Sequence, residues 1–295
     1  MRQLLGITAE IVRLTRFKEW RAYIALSIFG SLYGAKGLPE ICEGILKAII
    51  LMTVYMALVY LVNNLYDIDT DSINPRKKDK NTLTWNVRLR DVVKKVSVAL
   101  TFIGTLLSYL MLSLKGFINY TTMMALGIMY SARPVRLKER VGLDLLSHAF
   151  FFGIQPFLLI SIERVIFTLT LLKLLLAIAA YSMFLQIRNH LEDIEYDRKA
   201  GVRTTAVYLG ERKSYLLSLI FSIVFLALSI LILLDICNSY SYLIVAPLAL
   251  PLALTSIERN KYFRLMDAYA ITFFTALAIN SIINISHSSP LTSFF

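Results

Sequence analysis

Charge is scarce in this chain. Aspartate, glutamate, lysine and arginine make up only 17% of its 295 residues and hydrophobic residues 57%, where a soluble domain would be about a quarter charged. That balance excludes an ordinary water-soluble enzyme and makes the bilayer the expected solvent. Cysteine is nearly missing too. Cys42 and Cys237 are far apart and show no C-x-x-C or C-x-x-H spacing, so neither a metal knuckle nor a redox pair is indicated, and both read as small apolar fillers. His148, His190 and His287 form no ligand pair. His190 reads as a packing or solvated residue, although its position beside a carboxylate cluster would suit a catalytic one. The first residues, MRQLLGITAEIVRLTRFKEW, lack the short apolar core and small-residue cleavage site of a secretory signal. They are expected to lie against the bilayer as an amphipathic segment.

What the chain does have is apolar segments on the scale of about 20 residues, the length a spanning helix needs. Nine candidates fall near 20–38, 45–66, 94–113, 117–132, 143–161, 166–187, 214–234, 239–256 and 267–285. The expected fold is therefore all-α, a polytopic bundle of nine transmembrane helices. Basic residues gather after the second, fourth, sixth and eighth spans: Arg76 to Lys80, Arg133 to Arg140, Arg188 to Lys213 and Arg259 to Arg264. The other connections offer little more than Lys36, Lys115 and Arg164. By the positive-inside rule the N-terminus and the basic connections are cytoplasmic and the tail SHSSPLTSFF lies outside. No separate soluble domain is visible. Residues 1–295 read as one integral-membrane domain with polar inserts near 67–93 and 188–213.

Those two inserts hold most of the acidic residues. The first opens with NNLYDIDTD, in which Asn63, Asp67 and Asp71 are spaced four apart and share one face if the helix continues through them. Asn64 and Asp69 point elsewhere. The second reads RNHLEDIEYDRK and repeats the ladder as Asn189, Asp193 and Asp197. Like charges stacked on one face are destabilising unless a cation sits between them. Oxygen donors of this kind suit Mg²⁺, which is commonly held by one or two carboxylates plus substrate phosphates. Asp67, Asp71, Asp193 and Asp197 are the candidate metal ligands, and with Asn63 the candidate catalytic set. Two such faces turned into one cavity would bracket a diphosphate and offset charge developing on it as it leaves. A single ladder is equally an ordinary solvated helix end, so the repetition carries the argument.

Between the ladders lies YSARPVRLKER, where Pro134 interrupts a helix end. Tyr130, Arg133, Arg136 and Lys138 are candidate diphosphate contacts, as are Asn189, Arg203 and the Arg76–Lys80 run. Their plainer account is a positive-inside anchor. Asp144 opens the fifth span and reads as a helix cap. Gln155 and Asn280 inside spans would suit the path of a transporter or channel, the alternative reading, although the carboxylates gather at one rim rather than at midplane.

These residues resemble the UbiA superfamily of intramembrane prenyltransferases. Asn63, Asp67 and Asp71 match its first motif, NDxxDxxxD, with Asn64 in place of the first Asp; Asp193 and Asp197 match its DxxxD motif within RNHLEDIEYDRKAGVRTTAVYLG; and YSARPVRLKER is similar to its segment after the fourth helix. The resemblance implies nine helices around a lipid-open cavity and Mg²⁺ held by both Asp motifs. It also implies a polyprenyl diphosphate donor, of geranylgeranyl type, whose ionised end is attacked by a lipophilic acceptor. That acceptor would be an ether-lipid precursor, a quinone precursor, or a chlorophyll-like or carotenoid molecule. The wording of the second motif is most similar to the ether-lipid, chlorophyll and carotenoid branch.

Overall fold

The computed structural model describes residues 2–236 and 258–288, and over these it is helical with short irregular connections. Six helices among the described residues are long and apolar enough to cross a membrane: Leu38–Tyr66, Val87–Met111, Leu143–Ser161, Leu169–Lys199, Glu211–Asp235 and Arg259–Ile285. This corrects the expectation of nine. The segment at 20–38 forms only Arg21–Leu32, 12 residues or about 18 Å of helix, against a hydrocarbon core of about 30 Å. Chain direction changes after it through Gly34, whose φ of +72° suits a residue without Cβ. The segment at 117–132 forms Leu114–Ser131, but Lys115, Asn119, Thr121 and Thr122 leave it too polar to count among the six. The expected span at 239–256 lies outside the described residues.

Two apolar cores organise the bundle. One joins Leu51, Met52, Tyr55 and Met56 to Tyr120, Met123 and Phe151. The other joins Phe157 and Phe184 to Phe225, Tyr269 and Phe273. Burial of this kind is worth about 1.5–3 kcal/mol for each large side chain. Outward faces carry Val98, Phe102, Tyr109, Ile223 and Ile271, all exposed, as helices bathed in lipid require. The cores meet where Arg21–Leu32 crosses the Leu143–Ser161 helix. There a Cβ on Gly30 would stand 2.0 Å from the Phe157 carbonyl oxygen, so only glycine permits the crossing. The Leu143–Ser161 helix also contains a π-helical stretch, Ala149–Ile154, a geometry often found at functional sites.

One further difference bears on the site. The Leu38–Tyr66 helix does not run through the first ladder. It ends at Tyr66, and Asp67, with φ −104° and ψ 13°, joins it to a short helix, Ile68–Ile73. Backbone bonds from Asp67 N to Asn63 O (2.9 Å) and from Asp71 N to Asp67 O (2.7 Å) nonetheless span the junction, so the four-residue spacing keeps its helical bonding. The second ladder needs no such device, because Leu169–Lys199 is one continuous helix through Asp197.

Candidate active site

The two ladders face one cavity of about 360 Å³, whose lining includes Asn63, Asp67, Asn189, Asp193 and Asp197. Tyr130 and Lys138 line it too, as do Arg76, Lys77 and Lys80 from the run after the first ladder. The remaining candidates do not reach it directly. Asp71 is buried behind Asp67, where Asn81 Nδ2 donates to its Oδ2 at 2.9 Å. Arg136 is likewise buried, donating from Nη1 to the Tyr66 carbonyl at 2.9 Å with its Nη2 3.6 Å from Asp67. Arg133 and Arg203 are not among the lining residues. Asp69 is exposed.

Three of the four ladder carboxylates, Asp67 and Asp193 on the cavity wall and Asp71 behind it, are met by cations of the chain. Lys138 Nζ bonds Asp67 Oδ1. Lys77 Nζ stands 2.7 Å from Asp193 Oδ2, and Asn74 Nδ2 donates to Asp193 Oδ1 at 3.0 Å. Arg16 Nη2 lies 3.7 Å from Asp71 Oδ2. Burial and the nearby Asp67 charge hold the Asp71 carboxyl above its usual value. Burial pushes the Lys138 ammonium down, against the pull of Asp67. Burial also acts to lower Lys77, but Asp193, Asp71 and Asp197 together outweigh it and leave the amine raised. The carboxylates of the two walls are thus compensated chiefly by Lys138 and Lys77.

Sequence reading missed the amides and the N-terminal arginine that hold this arrangement. Asn64 is fully buried and donates to Leu14 O at 2.7 Å, while its Oδ1 accepts from Arg16 at 2.7 Å. Asn81 also donates to the Asn64 carbonyl at 2.9 Å. Asn74 and Asn81 flank a basic run in a polar insert, where no periodicity marks them. Gln186, on the cavity wall, donates to the Tyr130 hydroxyl at 2.5 Å; its spacing from His190 was the one available signal. Gln155, read as suiting a transport path, instead donates from its side chain to the Asn119 carbonyl at 3.3 Å, and its own backbone carbonyl accepts from the Asn119 side chain at 3.1 Å.

A second cavity of about 420 Å³ opens beside the first, between Arg21–Leu32, Leu143–Ser161, Leu169–Lys199 and the last described helix. Its walls include Leu26, Phe29, Ile178, Leu185 and Phe274, and no charged residue lines it. Tyr23 and Phe152 line both cavities and stack with ring centroids 4.5 Å apart. A polar, carboxylate-walled chamber thus adjoins an apolar groove across one aromatic pair.

The oxygen donors fit Mg²⁺ better than a softer ion. Among the described residues no group of three or more His, Cys, Asp or Glu is close enough to hold a metal unaided.

Comparison with known proteins gives a consistent picture. A model of the UbiA prenyltransferase family matches residues 23–278. A lycopene elongase/hydratase of Haloarcula japonica is 30% identical over 207 residues, covering 70% of this chain and 68% of that protein. A UbiA homolog from Archaeoglobus fulgidus, solved with GPP and Mg²⁺, has a TM-score of 0.67 at 18% identity, with 94% of this chain and 99% of that one covered. A structure described as concerning digeranylgeranylglyceryl phosphate synthase has a TM-score of 0.68 at the same identity and coverage. At 18% identity these two structures establish a shared fold.

Proposed function

This chain belongs to the UbiA prenyltransferase family, and from that premise we propose that it transfers a prenyl group, with Mg²⁺, from an allylic diphosphate to an acyclic polyene of the lycopene kind. The observation that carries the reading is the pairing of two carboxylate walls with an uncharged groove across Tyr23 and Phe152. The diphosphate belongs in the polar chamber. The groove suits an acceptor with no charged group to solvate, which favours a hydrocarbon over a phosphate-bearing ether-lipid precursor. The Haloarcula relative's name points the same way.

Asp67 and Asp193, supported by Asp71 and Asp197, would hold Mg²⁺ from opposite walls. The bound metal supplies charge neutralisation as the allylic C–O bond breaks and its electron pair leaves with the diphosphate. Lys77 and Lys138, paired to those carboxylates and lining the chamber, are the cations proposed to meet the phosphate oxygens. Tyr130 and Asn63, with Asn189 from the second ladder, would supply neutral polar contacts around the chamber. Arg136 positions Asp67 through the Tyr66 carbonyl. Arg133 and Arg203 would assist only from outside the chamber. The basic residues around the chamber support a cytoplasmic position for it and for the N-terminus, by the positive-inside rule.

The test is transfer by the purified protein from radiolabelled allylic diphosphates of five, ten and twenty carbons, the last being the geranylgeranyl length. Acceptors are lycopene or a glyceryl phosphate ether lipid, each with Mg²⁺ or with chelator. Mg²⁺-dependent label in lycopene supports the reading; label only in the ether lipid overturns the choice of acceptor.

A further inference from the structure

Transfer to a polyene leaves one step without a residue. When the acceptor double bond attacks the allylic cation, the positive charge moves to the acceptor. The reaction closes only when that new cation loses a proton or takes up water. Asp67 and Asp193 are taken up by their lysine partners, and with Asp197 of the second ladder they are assigned above to the metal and the diphosphate.

His190 is placed differently. It lines the chamber, is 7% exposed, and sits one helical turn beyond Gln186. Behind it lies Asp144, fully buried, whose Oδ2 is 3.4 Å from His190 Nδ1. Asp144 is not the cap expected from the sequence, since Gly142 holds that position without a side-chain bond; its Oδ1 accepts from the next backbone N–H, Leu145 N, at 2.9 Å. It also accepts from Thr205 N at 2.7 Å and from the Thr205 hydroxyl. Those bonds fix the carboxylate, which faces Nδ1 at 3.4 Å as a charge neighbour, Nδ1 itself having no hydrogen-bond partner among the described residues. A lone pair on Nδ1 would face a negative oxygen, so the ring proton sits on Nδ1. Nε2 then carries the lone pair. Its neighbour agrees: Gln186 Nε2 lies 2.7 Å from His190 Nε2, and an amide nitrogen can only donate; the base acts once that N–H turns away, Gln186 keeping its bond to the Tyr130 hydroxyl. Buried His148, also on the chamber wall, bonds Ser182 Oγ through Nδ1 at 2.9 Å and has no such carboxylate behind it.

We propose that His190, oriented by Asp144, is the base that ends the reaction by taking a proton from the carbon next to the acceptor cation; this rests on the polyene acceptor proposed above. The bookkeeping of electrons is complete. The C–O pair leaves with the diphosphate, the acceptor π pair forms the new C–C bond, and the adjacent C–H pair becomes the new double bond. The proton passes to Nε2, and the imidazolium so formed faces the Asp144 carboxylate. The product is an alkene. Without the base, water captures the cation and the product is an alcohol.

The experiment measures, by mass spectrometry, the ratio of alkene to alcohol formed from lycopene and an allylic diphosphate, alongside diphosphate release. In His190→Gln the ratio should fall on the order of 100-fold, the low end of what a positioned base contributes, and by more than diphosphate release falls. Asp144→Asn keeps the imidazole but presents an amide N–H to Nδ1, so it should lower the same ratio by reversing the tautomer; it also serves if His190→Gln misfolds. An unchanged ratio in a variant that still prenylates lycopene overturns the proposal, as does a wild type that forms only alcohol. A wild type that never prenylates lycopene overturns the acceptor reading and this one with it.

Discussion

Lys77 and Asp193 form an ion pair of 2.7 Å that ties the segment after the first carboxylate ladder to the second. The two ladders are 126 positions apart at their Asp67 and Asp193 members, yet the chain itself bridges them. A cation delivered with a diphosphate would take over what Lys77 and Lys138 now do. In that account Asp67→Asn and Asp193→Asn each remove one wall of the metal site. Transfer should fall roughly 100- to 1,000-fold, the range for loss of one preorganised electrostatic partner. Steady-state kinetics over a Mg²⁺ titration checks this, and full activity in both variants would sink the assigned mechanism.

Asn64 answers a different need from its neighbours. The family motif usually carries Asp there, but here the side chain must donate to Leu14 O as well as accept from Arg16. A carboxylate keeps only the second bond. Asn64→Leu abolishes both and strands a buried carbonyl, a loss of about 1–3 kcal/mol. Thermal unfolding in detergent should show a lower midpoint, whereas Asn64→Asp should fall between wild type and Asn64→Leu. Equal midpoints for all three would remove Asn64 from the framework.

The ladders were legible because helical spacing is written directly in sequence: Asn189, Asp193 and Asp197 stand four apart on one unbroken helix. The break at Asp67 was not, since backbone bonds conserve the spacing across it. Span counting failed where local composition and length disagree. Arg21–Leu32 is apolar but ends before Gly34 turns the chain, and Leu114–Ser131 is long enough but polar. Contacts made by Asn74, Asn81 and Arg16 depend on segments distant in sequence meeting at one site, which no local pattern encodes. The uncharged groove was invisible for a related reason. Apolar residues look alike whether they face lipid, core or cavity.

Asp71 predicts opposite effects of acid on folding and on metal. Its carboxyl is raised by burial and by Asp67, so the folded protein takes up this proton at higher pH than the unfolded chain does. The associated stability is fully present below the unfolded pKa and is lost as pH rises through the folded one. Metal binding needs the deprotonated form. Lowering pH through the weakly acidic range should therefore stabilise the metal-free protein at this residue while weakening Mg²⁺ affinity. Asp71→Asn should flatten the stability trend. Unfolding midpoints of the metal-free protein and Mg²⁺ titrations across pH separate the two, and parallel trends would contradict the assignment.

The groove can be narrowed without touching the polar chamber. Ala25 lies on its wall and is absent from the chamber lining. Ala25→Phe puts a ring where the acceptor chain would lie. If lycopene occupies that groove, its kcat/KM should fall roughly tenfold or more, the scale on which a misfitted apolar contact discriminates. The KM for the allylic diphosphate should hardly move, because no residue on the diphosphate side has changed. Kinetics with each substrate varied in turn distinguishes these effects. A rise in the donor's KM with the acceptor unaffected would reassign the groove to the donor's tail.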